Sequence, residues 1–134
     1  MSERARKHEE NIQKEAEKNL NRPLIEKYLD RISYHRSELT ASLAKREAEL
    51  RKNTDNPKTS KKISKNQEYY CSFTETFLFN KLSVNDMSEI KDRLSQALAD
   101  TDAGSAKWKC IRYEIKTMDS RITLKNMLNE LNSS

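Results

Sequence analysis

The spacing of the apolar residues limits this chain more than any other feature. Starting at Met87, the residues Ile90, Leu94, Ala97, Thr101, Gly104, Trp108, Ile111, Ile115, Met118 and Ile122 follow in alternating steps of three and four. An earlier run keeps the same rhythm through Ile25, Leu29, Ile32, Arg36, Leu39, Leu43, Arg46 and Leu50. On an α-helix such steps draw one continuous stripe along a single face, the pattern of a coiled-coil seam. On a strand they would scatter to both faces of a sheet.

The chain is therefore expected to be all-α. Two long amphipathic helices form an antiparallel hairpin, joined by a basic loop and an aromatic segment, and the hairpins oligomerise through coiled-coil-like seams. Pro23 disfavours the helical region for Arg22 but suits a first helical turn, so the first helix is placed at residues 23–52, roughly 45 Å long at 1.5 Å per residue. Ser83 or Asn85 caps the second, at residues 83–132, whose register passes straight through Gly104; a kink or a clean break there is the alternative. The oligomer contacts fall on Leu29, Ile32, Leu39, Leu43, Leu94, Trp108, Ile111, Ile115, Met118 and Ile122. Arg36 and Arg46 interrupt the first stripe. Either their alkyl stems lie along it while the heads reach water or a glutamate, or they line a groove between chains.

Gly104 is the only glycine among 134 residues. Phosphate-cradling loops, dinucleotide fingerprints and nucleophile elbows each need several, so those chemistries are excluded. Apolar residues make up 34% and charged residues 35% of the chain. That is little apolar material for a self-sufficient core, and it favours narrow stripes that pair with other helices. Cys71 and Cys110 form no metal or redox motif and read as buried free thiols. No run approaches the ~20 apolar residues of a membrane span, nor a signal-peptide core, so a soluble cytoplasmic protein without a membrane partner is expected.

Residues 1–22 alternate charge signs over a sparse stripe of Ile12, Ala16 and Leu20, and read as a charged arm. Residues 51–66 are the sharpest break in composition. Arg51, Lys52, Lys58, Lys61, Lys62 and Lys65 stand against Asp55 alone, a balance of +5 that equals the formal net charge of the whole chain. With Pro57 and few apolar side chains, this stretch reads as a flexible loop within a connection spanning 53–82. The aromatic segment follows, with Tyr69, Tyr70, Phe73, Phe77 and Phe79 on a short helix or ordered loop.

No catalytic or metal-binding signature is present, and neither an enzyme nor a cofactor is expected. Lysines beside exposed tyrosines are instead the combination used by single-stranded nucleic-acid binders. Cations meet phosphates and aromatic faces stack bases. The candidate binding residues are Arg51, Lys52, Lys58, Lys61, Lys62, Lys65, Tyr69 and Tyr70. An ordinary solvated lysine loop on a helical adaptor that pairs with other proteins' helices is the competing reading.

Two stretches resemble the UvsY-type recombination mediators of T-even-like phages. One is YLDRISYHRSELTASLAKREAELRK with the tyrosine pair downstream; the other is LSQALADTDAGSAKWKCIRYEIKTMDSRITLKNML, an acidic step followed by an aromatic-containing helix. The resemblance implies a ring-shaped homo-oligomer that binds single-stranded DNA and helps load a recombinase onto strands coated with single-strand-binding protein. Arg51 and Lys52 match the family's basic residues near the end of the first long helix. Two features depart from the pattern: the lysine-rich insertion at 58–65, and Cys71 and Ser72 where the family carries a glycine. A small helical subunit of a larger nucleoprotein assembly, such as a CRISPR effector complex, would carry similar features.

Overall fold

The computed structural model describes residues 20–54, 56–76 and 80–133, and these are all-helical without a strand. Four helices follow one another: α1 (Arg22–Arg51), α2 (Pro57–Glu75), α3 (Val84–Ala99) and α4 (Ala106–Ser133). Most of the charged arm expected at the N-terminus lies outside the described residues, as do Phe77 and Phe79.

Two expectations are corrected. The connection at 53–82 is not a loop but contains α2, a helix of 19 residues. Its start repeats the chemistry that starts α1. The Asn21 side chain accepts from the Leu24 amide at 3.3 Å with Pro23 in the first turn, and the Asn56 side chain accepts from the Lys58 amide at 3.1 Å ahead of Pro57. An Asx cap followed by proline is a strong helix start. Its inner stripe is also spaced four and three, through Thr59, Ile63, Asn66, Tyr70 and Phe73, but polar side chains occupy two of the five positions. Those two are satisfied from α1: Thr59 Oγ1 donates to Glu49 Oε1 at 2.9 Å, and Asn66 Nδ2 to Ser42 Oγ at 2.8 Å.

The second correction concerns residues 83–132, which form two helices. α3 opens with a capping box between Ser83 and Asp86 and ends at Asp100. Gly104 then takes φ +84°, a left-handed conformation that stops helix propagation, and Ser105 Oγ accepts from the Trp108 amide at 3.2 Å to start α4. Thr101 and Gly104 therefore sit in a turn and not on a seam.

The helices run alternately up and down as two antiparallel hairpins, α1 with α2 and α3 with α4. Tyr28 stacks on Phe73 with ring centroids 5.2 Å apart near the open end of the first hairpin, and Lys91 meets Asp119 at 2.8 Å across the second. The Asn21 amide donates to Asp86 Oδ1 at 2.8 Å and Arg93 pairs with Glu26, so α1 lies alongside α3. α4 touches both α1 and α2, while α2 and α3 do not meet.

The expected oligomer seam is corrected by this packing. Ile32, Leu39, Leu94, Ile111 and Met118 are buried in the chain's own core, joined there by Ile25, Tyr28, Ile63, Phe73, Leu82, Met87 and Ile90. Leu29, Ile115 and Ile122 pack partly against it. Leu43 is exposed, and Trp108 is half-buried like those three. α2 supplies the apolar surface that the first stripe lacked when it was read as half of a two-helix hairpin.

Candidate nucleic-acid interface

Because α2 is helical, its charges have a direction. Lys58, Lys61, Lys62, Lys65 and Tyr69 fall at steps of three, one, three and four, which places all five on one side of the helix. All are exposed, and none of the lysines is ion-paired among the described residues. Glu68 is the one acid on α2 before Glu75. Asn56 and Pro57 turn α2 back along α1, so Arg51 and Lys52 sit at the same end of the molecule as Lys58. Arg51 is tied to Glu47 at 2.8 Å, whereas Lys52 caps α1 through its backbone amide and leaves its side chain exposed.

At the other end of the lysine row the surface becomes aromatic. Tyr69 is 52% exposed and Tyr34 of α1 is 57% exposed. The His35 ring lies between them, 5.5 Å from Tyr34, 6.5 Å from Tyr69 and 5.4 Å from the buried Phe73. Burial first, and then the neighbouring Arg31 charge, hold the His35 imidazole below its ordinary pKa of 6.5. It is a neutral ring at neutral pH, flanked by two accessible phenols. Tyr34 and His35 were not singled out as binding residues from the sequence. Only the register of α1 on α2 makes them neighbours of Tyr69.

Tyr70 is the site residue that the structure removes. It is 3% exposed and turns inward, the opposite of a base-stacking platform. Its hydroxyl lies 2.8 Å from both Glu114 Oε2 and the Cys110 carbonyl oxygen, with one proton to give to either acceptor. Burial, reinforced by the Glu114 charge, pushes its pKa far above the usual phenol range. Adjacent positions on a helix are about 100° apart, so one tyrosine of the pair faces water while the other enters the core.

Arg36 likewise turns inward. Its Nε donates to Glu114 Oε2 at 2.7 Å and its Nη2 to Oε1. Burial pulls the guanidinium's pKa down, but the Glu114 hydrogen bonds and charge outweigh it and the net shift is upward. The same burial raises the Glu114 carboxyl above its ordinary range, against the pull of Arg36 and Tyr70. Cys71 and Cys110 are free and only partly buried.

Among the described residues, no three His, Cys, Asp or Glu side chains converge to hold a metal ion, and no helix is long and apolar enough to cross a membrane. No family model, curated protein or solved structure matches the chain. The functional reading accordingly stands on the geometry of this surface.

Proposed function

We propose that this protein is a non-enzymatic accessory protein that binds single-stranded nucleic acid along the exposed face of α2. The observation that carries this reading is the alignment of four lysines with Tyr69 on one face, continuing into Tyr34 and His35. A row of cations tracks a phosphate backbone, and accessible rings stack unpaired bases without demanding a sequence. A duplex hides its base faces and gains nothing from the aromatic end of the row. In its most concrete form, suggested by the UvsY-type resemblance, the protein is a recombination mediator that acts as a homo-oligomer beside a recombinase and a single-strand-binding protein. Repetition of the lysine face around an oligomer would raise avidity without any new contact.

A labelled single-stranded oligonucleotide titrated by fluorescence anisotropy at several salt concentrations, beside the matching duplex, tests the proposal. Single-strand binding should weaken steeply with salt. Replacing Lys58, Lys61, Lys62 and Lys65 by Gln should lower the log–log salt slope by up to about 3, at ~0.7 per phosphate contact. Absence of binding at low salt would refute the reading.

A helical adaptor that pairs with other protein helices is the second reading, and one surface favours it. Leu124, Met127 and Leu128 on the last turns of α4 are 45%, 56% and 51% exposed, beside an apolar groove of about 200 Å³ shared with Asn80, Met87, Arg121 and Lys125. Clustered apolar side chains of this kind commonly mark a protein interface. Sedimentation of the wild type against Met127→Asp tests this face: loss of assembly with nucleic-acid binding intact assigns it to oligomerisation, whereas assembly through it without nucleic-acid binding at low salt favours the adaptor.

A further inference from the structure

The outer face of α4 is a second basic–aromatic surface, distinct from that of α2. Lys109, Arg112 and Lys116 are all exposed over its first three turns, and the only acid between Ala106 and Thr117 is Glu114, which is turned into the core. Trp108, Lys109, Arg112, Tyr113 and Lys116 line an open groove of about 370 Å³. The Arg112 guanidinium lies over the Trp108 indole, 5.3 Å from the ring centroid, and so holds it in place on the surface. The Tyr113 hydroxyl donates to Glu75 Oε1 of α2 at 3.1 Å, which fixes the groove against the first hairpin.

We propose that this groove is a second contact surface for the same single strand, with Trp108 stacking a base and Lys109, Arg112 and Lys116 taking the flanking phosphates. The inference rests on the single-strand-binding reading of α2 and extends it to a strand held on two faces of the bundle. Charge complementarity selects the occupant. Three cations and two rings line the groove, against the single Glu75 carboxylate at its Tyr113 edge, so it suits an anionic chain that also offers flat apolar faces. Single-stranded nucleic acid has both, whereas an acidic peptide has only the charge.

Trp108 is the only tryptophan in the chain, so intrinsic emission reports on this groove alone. The full-length protein is titrated with a labelled oligothymidylate while anisotropy and tryptophan emission are read together, and separately with poly-glutamate. Saturable quenching by the oligonucleotide should track the anisotropy and be absent with poly-glutamate. The double variant Lys109→Gln/Lys116→Gln should lose the quenching and lower the salt slope by about 1.4, at ~0.7 per contact, while still binding through α2. Binding seen by anisotropy with unchanged Trp108 emission would overturn the second surface and leave the α2 reading intact. Quenching that survives the double variant, or that poly-glutamate reproduces, would overturn it as well. No binding at low salt would overturn both.

Discussion

Arg36 of α1 and Glu114 of α4, 78 positions apart in sequence, meet as a two-point charged pair at the place where the two hairpins touch. Tyr70 of α2 adds its hydroxyl to the same carboxylate, so three of the four helices converge on Glu114. Breaking such a pair from one side strands a charge in the core and is typically worth about 3–5 kcal/mol, whereas replacing both partners with apolar groups is far milder. Arg36→Met should accordingly shift the urea midpoint strongly downward, and Arg36→Met/Glu114→Leu should recover most of the loss. Equal destabilisation by the single and double variants would show that the pair is not coupled.

Neighbouring tyrosines should behave as opposites. Tyr70→Phe removes a buried hydroxyl from Glu114 and should cost about 1–3 kcal/mol of stability with little change in oligonucleotide affinity. Tyr69→Ala should leave the melting temperature nearly unchanged and weaken single-strand binding by about 1–3 kcal/mol. Parallel melts and anisotropy titrations of the two variants check this.

His35 should make stability, and the proposed single-strand binding, sensitive to mild acid. Its pKa is lowered on folding, so the folded state holds the proton less tightly than the unfolded chain. Its contribution to stability is complete above about pH 6.5 and is lost as the pH falls through the lowered value. In the same range an imidazolium appears beside Tyr34 and Tyr69, and affinity for a phosphate backbone should rise. His35→Asn should flatten both pH dependences below about pH 6.5.

Gly104→Ala tests the break between α3 and α4. No atom lies within 4 Å of a Cβ built at this position, so space is not limiting. The left-handed φ of +84° is, and an L-residue there should cost roughly 1–2 kcal/mol. A variant of unchanged or raised melting temperature would mean that the turn tolerates other conformations.

Much of the helical content was legible because periodicity is local. Ile25, Leu29, Ile32 and Leu39 mark one face of α1 whatever they pack against, and Met87, Ile90 and Leu94 do the same for α3. α2 was missed since Thr59 and Asn66 stand where apolar residues would have revealed its stripe, and six cations drew attention to solvent instead. The Asn56–Pro57 start was the available signal, identical in kind to the one recognised at Asn21–Pro23. The unbroken register through Gly104 concealed the opposite error, because spacing records which residues share a face and is blind to a single left-handed φ.

The sequence by itself determined an all-α chain, its apolar stripes, and a cluster of positive charge near one end of the first helix. Only the tertiary structure decided what those stripes face. Folding into two hairpins turns Ile32, Ile111 and Met118 onto each other within one chain, and separates Tyr69 from Tyr70 by one helical step. It also brings Tyr34 and His35 to the lysine face. The reason is physical: local spacing fixes the direction of a side chain relative to its own helix axis, while its partner depends on where the chain reverses, and those reversals rest on single caps and one glycine dihedral.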